Sequence, residues 1–286
     1  PAGVFNVVQG AGDVGAWLTH NPDIAKVSFT GEVGTGRKVM TAGASTLKDV
    51  TMELGGKSPL IIFDDADIDN AVSAAMLGNF YTQGEVCTNG TRVFVHEDIY
   101  SEFMDRLLER TLNNIRMGDP PDPDTNFGAL ISQKHQQLVL DYIEKGIAEG
   151  ATLSHGGKAA KPASAPGGYF VEPTIFTDCT DDMTIVHEEI FGPVLSIMKF
   201  DSEEQAVQIA NDTVYGLTNY VQSQDGERRN RLARQLRSGM VEMNGQSRAA
   251  GSPFGGMKQS GNGREGGMYG IEDFTEIKAV SGWAAE

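Results

Sequence analysis

A cysteine in a glycine-flanked loop is the residue of this chain best suited to covalent chemistry. Cys87 lies in residues 83–92, between small residues and just before an alternating apolar run at 92–96. A thiol at such a loop-to-strand junction is partly exposed, and nearby backbone N–H groups can lower its pKa below the free value of about 8.5. Taken alone, a single cysteine is more often an inert core thiol. The residues around Cys87 nevertheless lead us to expect a nucleophile.

Glu53 is the residue that we expect to serve Cys87 as a base. It lies near the end of the predicted strand 48–54 and is followed by Gly55 and Gly56. Carboxylates at the carboxyl ends of strands lie where open α/β sheets bind their ligands. On spacing alone, a solvated loop carboxylate explains Glu53 equally well.

A second candidate site is the glycine-rich turn at residues 31–36, between a predicted strand and a predicted helix. Backbone N–H groups at a helix N-terminus bind anions well. The spacing here is GxxGxG, not the GxGxxG of the dinucleotide fingerprint, so a plain tight turn explains the glycines about as well. Glu32, inside the turn, would also oppose a phosphate placed beside it.

Alternating strand and helix patterns surround these residues. Strands are predicted at 4–8, 25–30, 48–54, 59–63, 92–96, 169–176, 216–222, 240–244 and 274–283. Helices are predicted near 14–18, 37–40, 67–81, 99–115, 132–149, 202–211 and 226–237. This alternation is typical of βαβ crossovers, so we expect an α/β fold with a parallel sheet. The terminal strand has no partner of its own and could pair with another subunit.

The composition excludes several classes of partner. The chain has 286 residues and a formal net charge of -16, and its arginine-rich run at 228–237 is most simply a solvated helix face, so we expect no nucleic-acid partner. Its apolar runs are far shorter than the roughly 20 residues that span a bilayer, so we expect no membrane partner. Two cysteines outside any CxxC pair fit a reducing compartment, and we expect the cytoplasm. Because the chain opens on Pro1, we expect it to be a piece of a longer polypeptide.

Five ordered motifs resemble those of the NAD(P)-dependent aldehyde dehydrogenases. The motifs lie at residues 29–31, 53–59, 84–92, 189–193 and 252–256. Their order and approximate spacing match that family over essentially the whole chain. Residues 85–95 are most similar to the betaine-aldehyde and aminoaldehyde branch, whereas the part after about Tyr220 is more similar to broad-specificity members.

The resemblance implies an aldehyde dehydrogenase fold in three parts. Residues 1–55 would be the C-terminal part of a Rossmann-like cofactor domain, 56–259 the catalytic domain, and 260–286 a return segment with an oligomerisation strand. Family members also have an N-terminal half that supplies an adenine-ribose lysine and an oxyanion-hole asparagine. Since a lost oxyanion donor alone costs about 10²–10³ in rate, we expect this chain by itself to bind NAD weakly and to be poorly active. A homodimer or homotetramer is implied.

The activity implied by the resemblance is oxidation of an aldehyde to a carboxylic acid, with hydride transfer to NAD or NADP. Cys87 would form a thiohemiacetal and then a thioester, and Glu53 would activate the water that hydrolyses it. Glu265 would relay protons. The substrate would be a small aldehyde.

The binding residues implied by the resemblance are carried over from matching motifs. The cofactor would contact Gly31, Glu32, Val33, Gly34, Leu54, Gly55, Glu189 and Phe191. Phe254 would line the substrate tunnel. The backbone carbonyls of Lys258 and Gly261 would ligate potassium in members that bind this ion.

Three other functions stay open. In a CoA-acylating dehydrogenase the deacylating glutamate is typically dispensable, so Glu53 in its full motif argues against this function. A catalytically incomplete structural or interaction fragment is compatible with the absent N-terminal half. A thiol hydrolase needs a histidine beside Cys87, and no spacing identifies one, although His135 or His187 could fold nearby.

Overall fold

Strands and helices alternate along most of the chain in the computed structural model, which describes residues 1–284. The strands are β1 (Lys26–Gly31), β2 (Asp49–Leu54), β3 (Pro59–Ile62), β4 (Arg92–His96), β5 (Thr152–His155), β6 (Ala159–Ala160), β7 (Phe170–Val171), β8 (Thr174–Thr177), β9 (Val194–Phe200), β10 (Thr218–Gln222), β11 (Met240–Met243) and β12 (Gly261–Asn262). The α-helices are α1 (Gly12–His20), α2 (Val33–Ala44), α3 (Ile68–Phe80), α4 (Tyr100–Asn114), α5 (Gln133–Ala148), α6 (Thr184–His187), α7 (Glu203–Asn211), α8 (Gly226–Gln235) and α9 (Gly267–Glu272). Most of these elements match predicted runs, and the expected α/β class is confirmed.

A seven-stranded sheet forms the larger part of the structure. Its strand order is β11-β10-β3-β4-β9-β8-β5, and all neighbours pair in parallel except β5, which runs antiparallel to β8. Because parallel strands point the same way, the loops that enter β3, β4 and β9 lie along one edge of the sheet. This arrangement brings residues 56–58, 83–91 and 189–193 to the same edge.

Apolar side chains cover both faces of this sheet. On β3 and β4, Ile61 and Phe94 point into a core beneath α5 and α7, whereas Leu60, Ile62 and Val93 point into a core beneath α3 and α4. Successive side chains on a strand alternate between faces, so a strand buried on both sides is apolar throughout. This explains why these runs lack a polar alternation.

A small sheet carries the other predicted site residues. β1 and β2 pair in parallel and are connected by α2, and β12 returns from the far end of the sequence to pair antiparallel with β2. In this pairing Gly261 lies opposite Glu53. The two larger sheets meet at the diglycine turn (Gly55 and Gly56) between β2 and β3. The predicted domain boundary at residue 55 coincides with this turn, although the division into domains stays a prediction.

Two predicted strands are not formed in this chain. Residues 4–8 are irregular, and Phe5 is 85% exposed, so the predicted first strand is wrong. Residues 274–283 also contain no strand. A strand needs a partner for its N–H and C=O groups, and none of residues 1–284 pairs with either run. Pairing of 274–283 with another subunit stays a prediction, and residues 285–286 of the predicted third segment lie outside the described part.

The described helices are shorter than the roughly 20 residues that a helix needs to span a bilayer. The longest, α5, has 16 residues. Among residues 1–284, no helix combines the length and the apolar character that crossing a membrane requires.

Candidate active site

The loop that carries Cys87 is anchored to its neighbours on two sides. Gln83 Oε1 accepts a hydrogen bond from the Gly128 N–H at 2.6 Å, and Glu85 Oε1 accepts one from the Ile131 N–H at 3.2 Å. Gly84 has a positive φ of 77° and lies against the Gly192 backbone, where a Cβ atom would overlap the carbonyl group. These contacts leave Cys87 half-buried at the amino end of β4.

Glu53 is buried near the end of β2. Its residue is 4% exposed, and neither carboxylate oxygen has a hydrogen-bond partner among residues 1–284. Burial raises the pKa of Glu53 to about 8, and the negative charge of Glu265 adds to this effect, whereas Arg264 opposes it. Near neutral pH the group is therefore largely protonated. Because its pKa lies close to this pH, little free energy is needed to add or remove its proton.

The diglycine turn is the place where the predicted residues converge. A Cβ atom on Gly56 would lie 2.8 Å from the Cys87 carbonyl oxygen, and one on Gly55 would overlap the Glu189 carboxylate. The Gly56 N–H donates to Glu189 Oε1 at 3.2 Å. Glu53 is separated from this turn by Leu54 alone, and its charge, like that of Glu189, acts on the Cys87 thiol, so the three residues lie near one short stretch of backbone.

The pKa of the Cys87 thiol is raised rather than lowered. Burial is the largest cause, and the carboxylates of Glu189 and Glu53 act in the same direction. The N–H groups of Cys87 and Thr88 act in the opposite direction but are outweighed. The prediction that backbone N–H groups bring this pKa below its free value is therefore wrong for this chain. A thiol of this kind needs a base before it can attack.

Glu189, which is half-buried, and Lys57, which is buried, are ionisable groups whose charges interact near the turn. Burial raises the pKa of Glu189 to about 7, and the Gly56 N–H and the Lys57 charge limit the rise. Lys57 is 1% exposed, and its Nζ has no hydrogen-bond partner among residues 1–284. Burial, followed by repulsion from Arg92, lowers the pKa of Lys57 to about 7. Sequence reasoning did not single out Lys57, although its place inside motif 53–59 was a usable signal.

The glycine turn 31–36 has its helix N–H groups already bonded. Glu32 is the N-cap of α2, and its carboxylate accepts from the Gly34 N–H at 2.6 Å and from the Thr35 N–H at 3.1 Å. Such a cap satisfies donors that an anion would otherwise use. Val33 is buried together with Leu54 in a small apolar cluster. Gly31, Glu32, Val33 and Leu54 thus lie on the small sheet and α2.

Phe191 is held in an unusual backbone conformation. Its φ is 57°, and its carbonyl oxygen accepts from His135 Nε2 at 2.6 Å. The same His135 nitrogen lies 3.6 Å from the Glu85 carboxylate. His135 therefore connects residues 83–91, the cysteine loop, to residues 189–193. This nitrogen is already bonded to Phe191, and no hydrogen bond joins a histidine to Cys87 within residues 1–284. The hydrolase alternative gains no support.

Residues 252–265 complete the surroundings of Glu53. Phe254 and Glu265 exchange two backbone hydrogen bonds of 2.7 Å. The Glu265 carboxylate accepts from Ser28 Oγ at 3.4 Å. The carbonyl of Lys258 accepts the Gly261 N–H within a tight turn. The predicted potassium ligands are thus close in space, but one of their two carbonyls is already bonded.

Comparison with known proteins identifies the family of this chain. The model of the aldehyde dehydrogenase family matches residues 1–280. A betaine aldehyde dehydrogenase of Brucella anthropi is 52% identical over 98% of this chain and 58% of its own length. The chain therefore spans less than two thirds of this relative.

Solved structures agree with this comparison. An NAD+ complex of a Staphylococcus aureus betaine aldehyde dehydrogenase double mutant superposes with a TM-score of 0.92 at 38% identity, over 100% of this chain and 59% of that one. HpcC from Thermus thermophilus gives a TM-score of 0.93 at 44% identity, over 96% and 54%. An NAD+ complex of a Bacillus cereus aldehyde dehydrogenase gives 0.89 at 45% identity, over 93% and 53%. By its sequence and its fold, this chain belongs to the aldehyde dehydrogenase family.

Proposed function

We propose that the protein that carries this chain oxidises an aldehyde to a carboxylic acid and reduces NAD or NADP. The observation that carries the proposal is the convergence of Cys87, Glu53 and Glu189 on the diglycine turn. Family membership and the relatives solved as NAD+ complexes support the same reaction.

The residues at the diglycine turn fit the nicotinamide end of the cofactor. Gly55 has no room for a Cβ atom, Glu189 offers a carboxylate to sugar hydroxyl groups, and the Phe191 ring is partly exposed. At the turn 31–36 we assign no phosphate contact, because Glu32 occupies the N–H groups of Gly34 and Thr35. When bound, NAD(P) accepts the hydride that the aldehyde carbon loses.

Cys87 and Glu53 divide the remaining steps. In its ionised form, Glu53 takes the proton of the thiol, and the sulfur forms a C–S bond to the aldehyde carbon, which becomes a thioester after the hydride has left. Glu53 passes this proton to Glu265 and is ionised again. It then takes a proton from a water molecule whose oxygen attacks the thioester carbon. The C–S bond breaks, the carboxylic acid leaves, and the thiolate of Cys87 is regenerated.

The test is to supply the protein with a panel of aldehydes and to measure the formation of NADH from its absorbance. We expect Cys87→Ala to abolish turnover and Glu53→Gln to lower it by about 10²–10⁴, the usual contribution of a general base. Glu53→Gln should also accumulate a covalent acyl adduct on Cys87 that intact-mass measurement detects. The matched control is Cys179→Ala, at the second free cysteine, which should keep turnover. Unchanged turnover in Cys87→Ala would refute the proposal.

A catalytically silent structural role is the second candidate. The Glu32 cap and the raised thiol pKa favour it, since both oppose cofactor binding or nucleophilic attack. The absence of NADH formation with every aldehyde would support this role. A CoA-acylating dehydrogenase is distinguished by turnover that requires coenzyme A.

Three further properties complete the proposal. The use of two unpaired cysteines supports a cytoplasmic location. The resemblance supports a homodimer or homotetramer, which sedimentation would test. Potassium at the carbonyls of Lys258 and Gly261 is supported by the resemblance alone, and a dependence of stability on K⁺ rather than Na⁺ would test it.

A further inference from the structure

A polar pocket begins one residue away from Cys87. Thr88 forms part of its wall, and residues on β10, on β11 and at 247–252 form the rest. Its volume is about 420 Å³. We call it the Arg248 pocket. Because it adjoins the nucleophile and contains no residue of the diglycine turn, it is placed to hold the part of a substrate distant from its reacting carbon.

Two charged side chains, Glu242 and Arg248, line this pocket. Arg248 Nε lies 3.4 Å from Glu242 Oε1. The two Nη groups of Arg248 form no hydrogen bond to any of residues 1–284, and the side chain is 37% exposed. A guanidinium has five N–H donors, so most of its donors are available to a ligand.

Tyr220 lines this pocket, and the Phe254 ring beside Arg248 is already covered by a cation. The Arg248 guanidinium lies over the Phe254 ring, 4.7 Å from its centroid. A substrate with an ammonium group would find the Phe254 face occupied and would meet the positive charge of Arg248 in the pocket. A substrate with a carboxylate would instead meet unused donors in a planar arrangement that matches its two oxygens.

Glu242 is the group that could oppose a bound carboxylate. Burial raises the pKa of Glu242, and its pairing with Arg248 only partly counteracts this. Protonation of Glu242 would therefore be easier than for an exposed carboxyl group, which weakens its repulsion of a second anion.

We propose that the aldehydes oxidised by this protein carry a carboxylate at the end distant from the aldehyde group, and that Arg248 binds this carboxylate. The inference rests on the proposed function, because it names the substrate class of the same site. It differs from what the name of the Brucella anthropi relative indicates, since betaine aldehyde carries a positive charge.

The experiment compares kcat/KM for 4-oxobutanoate, butanal and betaine aldehyde, using the protein that carries this chain. We expect 4-oxobutanoate to exceed butanal by about 10- to 100-fold, the range of a charge-assisted hydrogen bond. In Arg248→Met this ratio should fall close to 1. In Arg248→Lys, which keeps the charge but loses the planar donor pair, it should fall part of the way. Glu242→Gln should raise kcat/KM for 4-oxobutanoate.

Arg234→Met is the matched control. Arg234 lies exposed on α8 and does not line the Arg248 pocket, so this variant should keep both the ratio and the turnover. A wild-type preference for betaine aldehyde would overturn the inference, as would an unchanged ratio in Arg248→Met or Arg248→Lys. Butanal turnover without a carboxylate preference would overturn this inference alone. A lack of NADH with all three aldehydes would overturn the proposed function as well.

Discussion

Glu53 is an ionisable residue held where ionisation is unfavourable. Its pKa of about 8 in the folded chain compares with an ordinary value of 4.5, and burial is the largest cause. Below about pH 4.5 the group is protonated in both the folded and the unfolded chain, so burial carries no electrostatic penalty. As the pH rises towards 8, the unfolded chain releases this proton and the folded chain keeps it. The free energy of unfolding therefore decreases with pH across this window.

Replacement of Glu53 by glutamine should remove this dependence. We expect Glu53→Gln to be more stable than the wild type above about pH 8, with a difference that shrinks as the pH falls towards 4.5. For a chain of this size, each 1 kcal/mol corresponds to about 2–4 °C in Tm. Thermal unfolding of both proteins across this pH range is the measurement. Glu109→Gln, at an exposed position of α4, is the control, and an equal pH slope in all three proteins would contradict the expectation.

Glu189 should control the reactivity of Cys87. After burial, its carboxylate is the next largest cause of the raised thiol pKa. Glu189→Gln removes this charge, so the thiolate should form at lower pH and alkylation by iodoacetamide at about pH 8 should become several-fold faster. Mass spectrometry of the alkylated protein measures the rate. Cys179 is an internal reference, because burial raises its pKa to about 12. An unchanged midpoint of the pH–rate curve at Cys87 would exclude this role.

At the scale of elements, the cysteine loop depends on close backbone contact. Gly84 has a positive φ, and a Cβ atom there would overlap the backbone of Gly192. Since both partners are backbone groups, the clash cannot be relieved by a side-chain rotation.

Gly84→Ala should therefore separate the cysteine loop from residues 189–193. We expect a loss of about 1–3 kcal/mol in the free energy of unfolding, the usual cost of strain at such a position. Urea unfolding measures this loss. Gly167→Ala is the control, because a Cβ atom there meets no atom within 4 Å. Equal stabilities of the two variants would show that the contact is not needed.

The regular elements were largely predictable from sequence. Strands such as β3 and β4 are buried on both faces, so their continuous apolar runs identified them. Residues 4–8 carry the same pattern but form no strand, because pairing requires a partner that the pattern does not supply. β9 was not predicted as a strand, although it lies between β4 and β8 in the large sheet. β9 begins directly after motif 189–193, and this run was interpreted as part of the site rather than as a strand.

At the scale of the whole molecule, a segment near the end of the sequence completes the surroundings of Glu53. β12 pairs with β2, and the Asn262 side chain exchanges hydrogen bonds of 3.1 and 3.0 Å with the backbone of Met52 and Val50. Gly261 has a φ of 127°, and a Cβ atom there would overlap the Met52 carbonyl. The return segment can lie beside Glu53 only because residue 261 is a glycine.

Gly261→Ala should detach the return segment from β2. We expect limited proteolysis to cleave between residues 261 and 273 several-fold faster than in the wild type, because local opening exposes this backbone. The pKa of Glu53 should also fall, as it loses part of its cover. Gly12→Ala, at a position without nearby atoms, should leave the cleavage rate unchanged. Equal cleavage rates in Gly261→Ala and the wild type would contradict this account.

The sequence by itself determined the family, the α/β class and the identity of the residues that gather at the diglycine turn, because these depend on residue types in a fixed order. Tertiary structure decided their chemical state. The raised pKa of Cys87 and the protonation of Glu53 arise from burial and from neighbours distant along the chain. Such energies depend on distance and solvent access, which residue order does not specify.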